Sequence, residues 1–253
     1  MTIRSWLSPL SGFSALIQGL KWLKHPQLRM LIVLPIVINV VIYGLVLGLG
    51  LHWTAGLMAD LIAWLPDWLS FLGTLFWWLM LFMLLAVLGL TFVTAALIIG
   101  APFYGQLSAR TLTLLGVGAS EASASDPLSI ALLIPKGIGR EFSKLVSFLP
   151  LLVLVVVISL LPGINVIAPF VWLSVNSWIF GLQFLDYPFD DAQKPFGTVK
   201  DWGRRHRGAV LGFGFAIVIG SSIPVLNLLI IPAAVVGATR LWVQIDRAEN
   251  GAR

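Results

Sequence analysis

WLSFLGTLFWWLMLFMLLAVLGLTFVTAALII, residues 68–99, runs for 32 positions without an Asp, Glu, Lys or Arg. A helix needs about 20 apolar residues to cross a hydrocarbon core roughly 30 Å thick. Wound as one helix this run is about 48 Å long, so it tilts strongly or projects beyond a bilayer. The rest of the chain supplies no polar coat that would keep such a helix in water. Of 253 residues, 58% are hydrophobic and 11% are charged, against about a quarter charged in a soluble domain. Mean hydropathy is +0.97. The sequence predicts an all-α integral membrane protein.

Working outward, residues 31–51 are also uncharged and read as the first spanning helix, with Pro35 in its opening turns, where a missing N–H matters less. Residues 51–67 connect the two runs and carry only Asp60 and Asp67 as charges, with His52, Trp53, Trp64 and Trp68 near the boundary. Ahead of the first span, residues 4–24 place Phe13, Leu16, Ile17, Leu20 and Leu23 on one helical face. That pattern fits an amphipathic N-terminal helix in the interface, with Trp6 and Trp22 at headgroup depth. It fits an ordinary first helix packed on the protein as well. On the other side, GAPFYG at residues 100–105 is expected to break the long helix. Residues 104–144 follow as the main extramembrane region, with the small, polar stretch 116–126 as a flexible loop.

Residues 145–185 and 208–239 are uncharged too, but each is interrupted by turn residues: Leu161, Pro162 and Gly163 in one, Ser221, Ser222 and Pro224 in the other. The second run divides into arms of 16 and 15 residues, about 24 and 22 Å as helices. Neither turn carries a charge. The expected arrangement is therefore two long transmembrane helices plus two helical hairpins entering from one face, the second falling short of a full crossing. Such apices are tolerated where protein or a water-filled cavity satisfies the backbone. Six full spans with tight loops are the alternative. The whole chain, 1–253, reads as one membrane domain, and residues 1–30 lack the features of a cleavable signal peptide. Lys and Arg flank every run except at 51–67, which places that connection outside and the others in the cytoplasm.

The chemistry on offer is narrow. There is no cysteine, and His25, His52 and His206 lie far apart, so neither a metal site nor a cofactor is expected. P-loop, GxGxxG, GxSxG and HExxH patterns are all absent, and no carboxylate sits deep in an apolar run. No catalytic residue is assigned, and a nucleic-acid partner is not expected. The net charge of +5 is read as positive-inside anchoring or as attraction for an anionic ligand or anionic membrane lipid.

Three clusters are candidates. KHPQLR at residues 24–29 stands at the mouth of the first span, with Pro26 suited to the first helical position. The helix N-terminus offers N–H groups and partial positive charge to an anion, and Arg29 adds a planar fork of donors suited to a tetrahedral oxyanion. The plain reading of Arg29 is a snorkelling anchor. Arg204, Arg205 and Arg207 precede the helix that opens at Gly208 and could collect anions at a vestibule, or anchor it. Lys136, Arg140, Glu141 and Lys144 form a third patch, in which Glu141 and Lys144 are partners at i,i+3. Asp186 stands apart, in the segment LDYPFDD at residues 185–191. Pro188 should stop its helix at or before Tyr187, and a carboxylate at a helix C-terminus opposes the dipole, so Asp186 calls for a basic or N–H partner. A structural tie or a polar position on a pore are its two readings.

Five segments carry a resemblance: HPQLRMLIVLP at 25–35, APF at 101–103, LPGI at 161–164, DYPFD at 186–190 and PVLNL at 224–228. In order and spacing they resemble the CysZ-type bacterial sulfate permeases over nearly the whole chain. The resemblance implies sulfate entry through the bacterial inner membrane for cysteine synthesis, and two long spanning helices with two partly penetrating hairpins. It also implies a homo-oligomer whose subunits can associate in opposite orientations. The family's sulfate-binding pattern falls on Gln27, Leu28 and Arg29, with Gln27 in place of a glycine and Met30 in place of a second arginine. Ala109 and Leu112 stand where family members tend to carry Glu. The reading is a multi-pass sulfate permease working without ATP hydrolysis, with sulfate or a related oxyanion as ligand. A non-transporting membrane scaffold that binds anionic lipid is the alternative.

Overall fold

A computed structural model describes residues 8–63, 66, 69–118 and 127–250. Eight α-helices follow in order among them: α1 (Pro9–Trp22), α2 (Pro26–Ala63), α3 (Ser70–Leu114), α4 (Pro127–Leu160), α5 (Ala168–Asp191), α6 (Phe196–Arg205), α7 (Arg207–Ser221) and α8 (Pro224–Asn250). A 3-10 turn, Asn165–Ile167, precedes α5. Five helices contain stretches long and apolar enough to span a membrane: Pro26–Asp60, Phe71–Gly89, Gly139–Leu160, Asn165–Asp191 and Leu226–Asn250. With exposed Leu, Val, Phe and Trp along them, a pattern that water does not tolerate over such an area, the chain is an all-α, multi-pass membrane protein. Trp6, Trp64, Asp67, Trp68 and most of the predicted loop 116–126 lie outside the described residues.

The chain divides into two compact units, Val33–Phe103 and the remainder, Met1–Ile32 with Tyr104–Arg253. The first consists of the long parts of α2 and α3, running antiparallel. Tyr43 donates to Thr91 Oγ1 at 3.2 Å, Gly50 faces Leu84 and Gly73 faces Ile62, so contacts ascend on one helix as they descend on the other. Outward side chains are apolar, among them Leu45, Trp53, Trp78 and Phe82. Asn39, a neutral polar residue inside α2, is buried and its Oδ1 has no hydrogen-bond partner among the described residues. Thr91 turns back on its own helix through Val87 O at 2.7 Å.

The second unit is a helical bundle in which α7 packs on α1, α5 and α8, and α4 leans on α5. Between lipid-soluble helices there is little hydrophobic drive to associate, so small residues that let backbones approach do the work. On α1 the packed face is Gly12, Ala15, Leu16 and Gly19, with Gly12 against Ala209 and Gly19 against Ala233. Phe13 and Ile17, expected on the apolar docking face, are left about 40% exposed. The helix is thus packed on the protein through its small residues rather than through its largest ones.

Three helix boundaries depart from expectation. GAPFYG does not break α3, which continues to Leu114. The continuation is held because Tyr104, Leu107, Ser108, Thr111 and Leu112 are buried in the second unit, with Ser108 Oγ 3.1 Å from Thr239 Oγ1. Pro188 does not end α5, which reaches Asp191; Phe189 is buried against Trp202 and Trp242 at ring separations of 5.9 and 5.3 Å, so packing carries the helix past the proline. Arg240 does not end α8, because its guanidinium stacks 4.1 Å over Trp22 and donates to Gln18 Oε1 at 3.0 Å. Both hairpin turns fall where expected: Gly163 adopts φ +85° between α4 and α5, and α7 gives way to α8 at Ser222 and Ile223. At 15 residues α7 is about 22 Å long, but α8 at 27 residues has the length of a full span.

Candidate functional site

The densest ionic chemistry sits where α4 meets the C-terminal half of α5. The side chain of Asp186 is 5% exposed, that of Lys144 7% and that of Arg140 14%. Arg140 donates from Nε to Oδ1 and Oδ2 of Asp186 at 3.0 and 2.9 Å and from Nη2 to Oδ1 at 2.5 Å. One turn on, Lys144 Nζ reaches Asp186 Oδ2 at 3.0 Å. Two cations around one carboxylate leave excess positive charge, which exposed acids offset: Asp190 pairs with Arg140 Nη1 at 2.9 Å and Glu141 pairs with Lys144. Arg140 Nη1 also donates to the Lys194 carbonyl at 2.9 Å. The basic partner that Asp186 required is thus supplied twice, and the Glu141–Lys144 pair forms as spaced. Every nitrogen of Arg140 is engaged by a protein oxygen, so the cluster ties α4 to α5.

Arg29 has the opposite character. It is exposed on the first turn of α2, and with Arg110 it is one of two described arginines whose guanidinium takes no hydrogen bond or ion pair among the described residues. Leu28 is fully buried and anchors the turn, while Gln27 is exposed. His25 occupies the capping place: its carbonyl accepts from Leu28 N at 3.0 Å and Arg29 N at 3.2 Å, and its Nδ1 from Gln27 N at a loose 3.4 Å. His25 also stacks on Trp22, 6.1 Å between centroids, and Arg240 covers Trp22 as well. The mouth of α2 therefore presents a free guanidinium beside a weakly held N–H, flanked by a ring that already carries a second cation. An oxyanion is the ligand such a surface suits.

The Arg204–Arg207 segment divides. Arg204 pairs with Asp201 at 3.2 Å, and Arg207 Nε donates to Arg204 O at 3.1 Å. Both line a cavity of about 610 Å³ shared with Lys200, Trp178 and Leu211. Arg205 does not line it and leans on the Asp201 carbonyl at 3.5 Å. Sequence reasoning passed over Lys200, whose spacing of four from Arg204 puts both on one face of α6, and it gave His206 no role. His206 is buried, with Nδ1 2.8 Å from Trp202 O and Nε2 2.9 Å from Glu249 Oε1. It clasps the α6–α7 joint to the end of α8. A single histidine inside a run of arginines was the available signal. Among the described residues no group of His, Cys, Asp or Glu is placed to hold a metal ion.

The family model described as Sulfate transporter CysZ/Etoposide-induced protein 2.4 matches residues 15–232. A protein named Sulfate transporter CysZ from Pseudomonas aeruginosa (strain LESB58) is 36% identical over 239 residues, covering 93% of this chain and 95% of its own. Proteins of the same name from Pseudomonas fluorescens (strain Pf0-1) and Salmonella enteritidis PT4 are 34% and 35% identical, covering 95% and 99% of this chain and 96% and 98% of theirs. Matched from the N-terminal helix to the second hairpin, and covering nearly all of the relatives' length, the chain belongs to the Sulfate transporter CysZ/Etoposide-induced protein 2.4 family.

Proposed function

We propose that the chain is a permease of the bacterial inner membrane that admits sulfate for cysteine synthesis without hydrolysing ATP, acting as a homo-oligomer. The carrying observation is the near full-length similarity to proteins named sulfate transporters, joined to the absence of any nucleotide-binding pattern in the sequence. Arg29 holds the dianion at the mouth of α2, with the N–H group of Gln27 beside it and Leu28, whose N–H is taken by the His25 carbonyl, anchoring the turn. Support for this placement is the unengaged guanidinium and the loose Gln27 N–H contact. The basic patch of α6 and α7 gathers anions or lipid, while Asp186, Arg140 and Glu141 brace the hairpin.

The test is labelled-sulfate uptake into proteoliposomes by the parent and by Arg29→Ala, with equilibrium sulfate binding in parallel. Charge-assisted hydrogen bonds contribute about 1.5–3 kcal/mol, so Arg29→Ala should weaken sulfate binding by about 10- to 100-fold and lower flux with it. Lost binding with flux retained would take Arg29 off the permeation path. An intact, inserted parent without flux would replace the permease reading with that of a lipid-binding scaffold.

A further inference from the structure

Three cations, Lys200, Arg204 and Arg207, share one cavity of about 610 Å³, and no Asp or Glu among the described residues lines it. Apart from the hydroxyls of Ser147 and Ser174 the remainder of its wall is apolar, with Leu151 and Pro150 from α4, Trp178 and Leu182 from α5, and Leu211 from α7. An aqueous dianion gains nothing from such walls. A second cavity, of about 470 Å³, shares Ser174 and Leu211 with the first and continues between Leu10 and Phe13 of α1 and Phe170 and Phe215 of α5 and α7. The hydroxyls of Ser174 and Ser177 are turned back onto Phe170 O and Leu173 O, which leaves this extension without an unsatisfied polar group from either. Arg207, Leu211 and Phe215 recur every four residues on α7, so the line from cationic end to apolar end is about 12 Å long.

We propose that this paired cavity is a binding site for an anionic phospholipid, its headgroup phosphate held by Lys200, Arg204 and Arg207 and an acyl chain lying past Leu211 toward Phe215 and Leu10. Charge and apolar surface are arranged end to end, as they are in the lipid itself. Snorkelling side chains would point past such a cavity into the headgroup layer; these three line it. Arg204 is partly neutralised by Asp201 at 3.2 Å and Lys200 Nζ rests on Ser147 Oγ at 3.3 Å, a neutral contact that a phosphate oxygen can replace. The volumes lie in the range of small-molecule sites, about 300–1,000 Å³. The site belongs to no step of sulfate recognition at Arg29 and stands whether or not the chain conducts sulfate.

The experiment is native mass spectrometry of the delipidated, detergent-solubilised full-length protein titrated with phosphatidylglycerol, and separately with phosphatidylcholine of the same acyl chains. The parent should retain phosphatidylglycerol in preference. Each basic residue near a membrane surface contributes about fivefold to anionic-lipid affinity, so the variant Lys200→Gln/Arg204→Gln/Arg207→Gln should lose on the order of 100-fold for phosphatidylglycerol and little for phosphatidylcholine. Asp201→Asn, at an exposed position, should raise phosphatidylglycerol retention by freeing Arg204, and this gain is readable even if the triple variant fails to fold. Leu211→Asn should weaken phosphatidylglycerol and leave inorganic phosphate unaffected. Displacement of the lipid by inorganic phosphate, with phosphatidylglycerol retention unchanged by Leu211→Asn, would make this a free-oxyanion site and overturn the proposal. So would equal retention of the two lipids, or phosphatidylglycerol retention indifferent to both Asp201→Asn and the triple change.

Discussion

Asp186→Ala should destabilise the protein by about 3–5 kcal/mol, because it strands two buried cations. Arg140 and Lys144 both turn inward onto Asp186, and the acids left to them, Glu141 and Asp190, are more than half exposed. Solvent weakens those outer pairs, whereas the inner carboxylate acts where water is largely excluded. Removing one partner of a buried pair leaves an uncompensated charge; replacing all partners by apolar groups of similar size is often neutral. The combination Asp186→Leu/Arg140→Met/Lys144→Met is therefore expected to recover most of the stability lost by Asp186→Ala alone. Thermal unfolding of the detergent-purified proteins measures both. A fall in Tm of about 6–20 °C is expected for the single change in a chain of this size. A shift of under about 2 °C would mean that water or the outer acids already satisfy Arg140 and Lys144.

The need of Asp186 for a partner rests, in the sequence, on a helix end at Pro188 that α5 does not have, whereas the Glu141–Lys144 pair, which follows from helix spacing alone, was legible there. That Arg140 and Lys144 supply the partner was not, since 46 residues separate Arg140 from Asp186 and only the α4–α5 hairpin brings them together. The same limit explains the boundaries. Long apolar runs located the membrane helices, and uncharged Pro/Gly turns located the hairpins, because both are local properties of backbone and solvent. Local rules also predicted helix ends at GAPFYG, Pro188 and Arg240, and in each case tertiary contact overrode them: the buried face from Tyr104 to Leu112, the Phe189–Trp202–Trp242 stack, and the Arg240–Trp22 contact. At the candidate anion site the sequence showed which residue was cationic and which helix it opened. That Arg29 is unengaged while Arg204 and Arg207 line an apolar cavity depends on side-chain partners drawn from other helices, and charge counting assigns all of them the same role.

Gly214→Ala should be at least as damaging as Asp186→Ala, with a loss of about 4 kcal/mol or more from the addition of one methyl group. A Cβ at Gly214 would stand 1.6 Å from the carbonyl oxygen of Ser177 and 2.6 Å from its carbon. The obstacle is backbone, which no rotamer change can move aside, so α5 and α7 would have to separate. Separation is costly on both sides of α7, because a Cβ at Gly212 would stand 2.0 Å from the carbonyl oxygen of Pro9 on α1. Overpacked cores that can shift side chains lose about 1–3 kcal/mol; here that route is closed. Gly44→Ala on α2 provides the contrast, since its Cβ meets nothing within 4 Å, and there the substitution should stabilise by about 0.4–1 kcal/mol through the unfolded chain. Monodispersity and Tm of the two variants in detergent decide the matter, with a Gly214→Ala protein as stable as the parent excluding the close α5–α7 approach. The consequence reaches beyond stability. Trp178 and Leu182 on α5 face Arg207 and Leu211 on α7 across the basic cavity, so the contact at Gly214 sets the width of the slot between charge and apolar wall. A partial separation that still allowed folding would widen that slot, and phosphatidylglycerol retention should then fall in Gly214→Ala although all three cations remain in place.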